Sequence, residues 1–294
     1  MTMPAGGIFG GAIQGAARRV WGLMYRHLAL YRSSWPRLLE LAYWPILQMC
    51  IWGFTASFLA SRMGTGPGGT GPGGTGAEGT SAGALAAAAL LGGVLLWEVT
   101  LRSQMGMSIS FLEEIWSRNL GHIFVSPLRP SEMILALIGM SVIRMMLGVV
   151  PAILLAWAFY AFNLFALGPV LVLFFANLMI FGWAVALSVV SLVLRHGAGA
   201  EPLAWGVLFG LAPFSAVFYP VSVLPLAVRW IAWILPTSHV FEGMRGVLMH
   251  QEVMWGQLAA AFALNAVWLC GAVALFNWQF RQARISGALV SMGE

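Results

Sequence analysis

The chain has 294 residues, 60% hydrophobic and 9% charged, whereas a soluble domain carries roughly a quarter charged, so it reads as an integral membrane protein. It holds neither Lys nor Asp, which excludes a P-loop and an aspartate that would hold Mg²⁺ at a nucleotide site. The net charge of +5 therefore rests on arginine alone, and it is informative by position rather than as a sum.

Residues 1–15 are rich in Gly and Ala and read as a flexible N-terminus. The next stretch, 16–37, places Trp21, Met24, Leu28, Tyr31 and Trp35 on one helical stripe, with Arg19 and Arg26 opposite. That pattern predicts an amphipathic interfacial helix on an anionic leaflet. Six spans follow, at about 38–60, 83–108, 133–161, 168–194, 203–217 and 255–280, each judged against the roughly 20 apolar residues that cross a bilayer. Between the first two lies a Gly/Thr/Pro loop, 62–82, with the repeat GTGPGG. A short tail, 281–294, closes the chain.

Residues 111–132 are a polar interruption between apolar runs and hold three of the ten glutamates, Glu113, Glu114 and Glu132. Ile115, Trp116, Leu120, Ile123 and Phe124 recur as on a short amphipathic helix. Pro127 and Pro130 break it, and Ser131 suits the N-cap of the next helix. Such an element is either a loop on the bilayer surface or a docking element for a second protein.

Residues 218–250 are apolar but interrupted by Pro220, Pro225 and Pro236. Pro225 can open one short helix carrying Trp230 and Trp233, and Pro236 ends it. Thr237 or Ser238 can cap a second helix through Glu242 and Arg245, which stand three apart and can pair locally. The stretch reads as a re-entrant hairpin or as a surface loop with aromatic anchors.

Arginines assign the sides. Arg18, Arg19, Arg26, Arg32, Arg37, Arg102, Arg118, Arg129, Arg195, Arg281 and Arg284 fall on one side, and Arg62, Arg229 and Arg245 on the other. The first side is expected to be cytoplasmic, with both termini inside and residues 218–250 outside.

Charge within spans is costly, about 2.5–3.5 kcal/mol at bilayer depth unless paired or wet. Glu98 and Arg144 sit mid-span and are expected to pair with each other or to line a polar path. Glu40 is expected to reach the interface. Five scattered histidines, His27, His122, His196, His239 and His250, show no metal-ligand spacing and read as interfacial or capping residues. Cys50 and Cys270 read as small buried hydrophobes. No GxSxG motif occurs, so an intramembrane hydrolase is disfavoured.

The chain resembles the permease subunits of ABC-2-type transporters, a group that includes bacterial drug, polysaccharide and lipo-oligosaccharide exporters. The match rests on VSPLRPSEMI at 125–134, FYPVSVLP at 218–225 and LPTSHVFEGMRGVL at 235–248, and on the order of the elements. One departure is Leu235 before Pro236, where related chains often carry Asn. The resemblance implies an all-α integral membrane fold of six transmembrane helices, with an N-terminal interfacial helix, a cytoplasmic coupling helix and an outer re-entrant hairpin. It makes 111–124 the coupling helix, with Glu113, Glu114, Ile115, Trp116 and Leu120 in contact with a separate ABC ATPase. ATP and Mg²⁺ would be bound by that subunit, and this chain would hold no cofactor and bind no nucleic acid. A permease homodimer in the bacterial cytoplasmic membrane is implied, exporting a lipophilic, drug-like or lipid- or saccharide-linked cargo. Pro220, Pro225, Trp230, Trp233, Pro236, Glu242 and Arg245 would border the outer exit. A secondary transporter with inverted repeats and a non-transporting assembly protein are the alternatives.

Overall fold

The computed structural model describes residues 6–32, 35–64 and 76–285. Most of the Gly/Pro loop and of the tail, and the first five residues, lie outside the described residues. Ten α-helices occur in this part of the chain, and no strand is found among the described residues. They are α1 (Gly6–Arg32), α2 (Trp35–Gly64), α3 (Gly76–Trp116), α4 (Leu120–Val125), α5 (Pro130–Tyr160), α6 (Val170–His196), α7 (Pro202–Leu211), α8 (Leu226–Ile234), α9 (Pro236–His250) and α10 (Trp255–Ile285).

Four helical segments among the described residues are long and apolar enough to cross a membrane: Gly83–Trp116, Pro130–Tyr160, Val170–His196 and Trp255–Ile285. They coincide with the expected second, third, fourth and sixth spans. The expected first span falls on α2, which has 30 residues, but Glu40, Pro45 and Gln48 dilute its apolar run. The fifth falls on the short apolar helix Pro202–Phe214, whose last turn tightens to 3₁₀ geometry. At 1.5 Å per residue that segment is about 20 Å long, less than the roughly 30 Å of hydrocarbon.

The bundle is built around α3. Every residue from 91 to 100 is buried, because α2, α5, α6 and α9 pack on different sides of it. An all-round apolar helix is what such a central position needs. Small residues let the backbones close up. A Cβ on Gly182 of α6 would lie 2.9 Å from the Thr100 carbonyl oxygen, and one on Gly106 of α3 would lie 2.9 Å from Ser141 Cα in α5. Polar side chains then tie the same helices: Ser141 Oγ donates to the Ser103 carbonyl (3.0 Å), and Trp183 Nε1 donates to Ser141 Oγ (2.8 Å). On the far side of α6, Asn265 Nδ2 of α10 donates to the Asn177 carbonyl at 2.9 Å.

Three local expectations are corrected. The segment 111–132 does not begin a separate helix, because nothing after Ser108 breaks α3, which runs on to Trp116. At 41 residues α3 is about 60 Å long and outreaches the hydrocarbon. The chain turns at 117–119, with Arg118 in the left-handed region (φ 51°), and only then forms α4. Ser131 is not the cap of α5: Arg129 holds that place with Pro130 at the first helical position, and its N–H donates to Glu132 Oε2 at 3.0 Å. Neither Thr237 nor Ser238 caps α9, since Leu235 does so with Pro236 next; Ser238 Oγ turns back onto the Ala232 and Leu235 carbonyls. Proline at the first helical position fits, because its missing N–H would be unsatisfied there anyway.

Close packing of α6 on α3 predicts that Gly182→Leu lowers stability by about 2 kcal/mol or more, since the Thr100 backbone cannot yield as a side chain would. Gly206→Ala in α7, with open space where its Cβ would go, should unfold at or slightly above the wild-type temperature in the same detergent. Equal melting of both variants would refute the close approach.

Candidate functional site

Adjacent carboxylates at the end of α3 organise this half of the molecule. Residues next to one another on a helix point about 100° apart, so Glu113 and Glu114 serve two directions. Glu113 Oε2 accepts from Arg144 Nη2 of α5 at 2.8 Å. Glu114 Oε2 accepts from Arg26 Nη1 of α1 at 2.5 Å and from Asn119 Nδ2 at 2.7 Å. His27, with no exposed surface, stands between them: Nδ1 is 3.3 Å from Glu113 Oε2 and Nε2 is 3.2 Å from Glu114 Oε1. These are ion-pair distances without hydrogen-bond alignment. A second tie holds α1 two turns earlier on the same face, where Arg19 Nη2 meets Glu132 Oε1 at 2.5 Å.

The expected outward role of the two glutamates is therefore corrected, because cations from α1 and α5 occupy both carboxylates inside the chain. Of the other residues expected there, Leu120 is fully buried, Ile115 is half-buried, and Trp116 is exposed with its Nε1 donating to Glu201 Oε2 at 3.3 Å. The stripe on α1 is corrected as well. Leu23, His27 and Tyr31 face the bundle, while Trp21 is exposed and Trp35 begins α2. His27 was not separable from the other histidines by sequence. Its place four residues from both Leu23 and Tyr31 was the available signal.

Beside this cluster opens a cavity of about 770 Å³ between α1, α2, α3, α5 and α7. Tyr31, Glu40, Trp44, Gln48, Glu98, Arg102, Glu113, Trp116, Arg144, Trp205 and Phe209 are among its lining residues. Glu98 and Arg144 do not pair with each other. Arg102 stands one turn along α3 from Glu98, at 3.2 Å, and Arg144 lies opposite the later part of α3, where Glu113 is. Both residues nevertheless line the same cavity. Arg144 also stacks over Tyr31, its guanidinium carbon 5.0 Å from the ring centre.

At the opposite end of the bundle, Glu242 and Arg245 do meet, at 3.3 Å. Their larger task is to hold irregular backbone. Glu242 Oε1 accepts from the Val221 N–H at 2.7 Å, and Arg245 Nη2 donates to the Ala216 carbonyl at 2.7 Å and the Tyr219 carbonyl at 3.3 Å. Pro220 and Pro225 bracket a short 3₁₀ turn, Val221–Val223, in this region. Pro236 opens α9, and Trp230 and Trp233 lie exposed on α8.

A cavity walled by charged and aromatic side chains, inside a bundle of membrane-length helices, suits passage of a molecule. A family model for ABC-2 type transporters matches residues 19–249, from α1 through nearly all of α9. The chain belongs to the ABC-2 type transporter family. No curated protein matches it. The matched range of this permease component contains the carboxylate cluster, the cavity lining and the Glu242–Arg245 clamp.

Burial pushes the His27 imidazole down, but the carboxylates of Glu113 and Glu114 outweigh burial, and its pKa is raised above the ordinary value. The folded value thus exceeds the unfolded one. The stability it contributes is complete below about pH 6.5 and is lost as pH rises through the raised folded value. Wild type should melt a few degrees above His27→Gln at about pH 6, and the gap should close toward about pH 9. A gap independent of pH would show that His27 acts by shape alone.

Proposed function

We propose that the chain is the membrane-spanning permease subunit of an ATP-binding-cassette exporter and that the 770 Å³ cavity receives its cargo. The observation that carries this reading is the family match across residues 19–249, with the cavity inside it. In this reading α2 and Pro202–Phe214 complete a six-span topology with the four long apolar segments. Both termini lie on the cytoplasmic side of the bacterial inner membrane, following the arginine asymmetry. Two copies of the permease work with a separate ATPase that binds ATP and Mg²⁺.

The coupling contact is the tip formed by the end of α3, the turn at 117–119 and α4. Trp116, Arg118, His122 and Arg129 are exposed there, whereas Glu113 and Glu114 face inward. An ATPase pressing on this tip moves the end of α3. That displacement passes through Glu113 and Glu114 to Arg144 at the cavity wall and to α1. The proline-bracketed region before α8 and the α8–α9 corner border the outer exit, held by Glu242 and Arg245.

The tip and the buried cluster should fail differently. Arg118→Glu with His122→Glu should leave membrane insertion and melting unchanged, while co-purification of the ATPase falls and export drops by about tenfold or more. Glu114→Arg should instead destabilise the permease itself, because it places like charges beside Arg26 and His27. Normal ATPase recovery and full export from the tip variant would remove this contact from the proposal. An ATPase reading frame with a P-loop next to this gene is the simplest independent check.

A further inference from the structure

The cavity's charges are unevenly committed. Three carboxylates line it, Glu40, Glu98 and Glu113, against two guanidiniums, Arg102 and Arg144. Both guanidiniums are already engaged, Arg102 with Glu98 and Arg144 with Glu113, and Arg144 is also covered by Tyr31. An anion entering here would meet guanidiniums whose charge a carboxylate already balances. Glu40 differs. It is exposed, lines the cavity and has no ionic partner among the described side chains. It shares a face of α2 with Trp44 and Gln48, each one turn further along, and both of these also line the cavity.

Aromatic surface completes the arrangement. Trp44, Trp205 and Phe209 line the cavity while remaining 54%, 42% and 54% exposed. Ring faces attract cations and bury apolar groups, and an adjacent free carboxylate adds a full opposite charge. A lipophilic anion shares only the apolar burial, and the carboxylate repels it.

We propose that this cavity selects lipophilic cations, amphiphiles whose positive charge is flanked by apolar or aromatic groups, with Glu40 as the counter-charge and Trp44, Trp205 and Phe209 as the apolar contacts. The proposal rests on the reading of the cavity as the cargo site. Glu98 and Glu113 stay with their arginines as nearly neutral pairs, so the net negative charge of the lining is that of Glu40.

Two probes of the same shape and opposite charge separate the possibilities: tetraphenylphosphonium and tetraphenylborate. Their binding to the full-length permease in nanodiscs is measured by equilibrium dialysis, with binding to empty discs of the same lipid subtracted. Tetraphenylphosphonium should bind more tightly. Glu40→Gln should weaken it about tenfold and leave tetraphenylborate unchanged or improved, and Glu40→Asp should restore most of the loss. Trp205→Ala and Phe209→Ala should weaken tetraphenylphosphonium whatever is at position 40. If the aromatic variants weaken the probes but tetraphenylborate binds as well as tetraphenylphosphonium, or Glu40→Gln changes neither, cation selection is wrong and the cavity remains the cargo site. If tetraphenylphosphonium binds unchanged to both aromatic variants, the cavity reading itself falls, and cation selection with it.

Discussion

Two adjacent glutamates turned toward other helices set the terms for one half of this molecule. A buried carboxylate without a partner costs several kcal/mol; Glu114 is buried, Glu113 beside it is half-buried, and both need cations. Their partners cannot come from α3 itself, so other elements must bring them. The helix α1 brings Arg26 and His27, and α5 brings Arg144. Meeting that requirement fixes α1 against the bundle and places Arg144 at the cavity wall. It also turns Trp116 and Arg118 outward, since they follow the glutamates around the helix end and the turn. The exposed tip, the docking of α1 and the place of Arg144 at the cavity wall thus follow from one electrostatic constraint.

The large features were legible in the sequence because they follow from solvent alone. A run of apolar residues long enough to cross hydrocarbon has few other uses, so the expected spans at 133–161 and 168–194 lie close to Pro130–Tyr160 and Val170–His196. Prolines marked real boundaries for the same reason: the missing N–H and fixed φ act locally, and Pro130 and Pro236 stand at helix starts. The expectation for Glu242 and Arg245 also rested on local geometry, three residues apart on one helix, and they meet.

What sequence could not give was the rotation and register of one helix against another. Glu98 and Arg144 were each placed in the right span, yet nothing in the spacing says which turn of α3 faces which turn of α5. A sequence-local partner, Arg102, outcompeted the distant one for Glu98. The resemblance puts the glutamates at 113 and 114 against a separate ATPase, on the expectation that a polar segment between spans is free to meet a partner. That expectation fails where other helices supply cations from across the fold. His27 was missed through the same gap, being one of five scattered histidines until α1 is docked.

The two ends of the bundle solve a similar problem with different stiffness. Beyond Pro202–Phe214 the chain is irregular, and Arg245 and Glu242 satisfy its backbone carbonyls and an N–H directly. Such a clamp holds one particular loop conformation, because each contact requires a backbone atom in one position. At the other end the contacts run between side chains on three rigid helices, and long arginine side chains tolerate small displacements of those helices without losing the ion pair. Under the proposed coupling, the compliant end is where force enters and the clamped end is where the conformation must switch. A movement of α3 can be absorbed gradually by Arg26 and Arg144, but Arg245 must release the Ala216 and Tyr219 carbonyls or keep them. The clamp is therefore where a two-state switch would sit under that coupling, since its contacts are either made or broken.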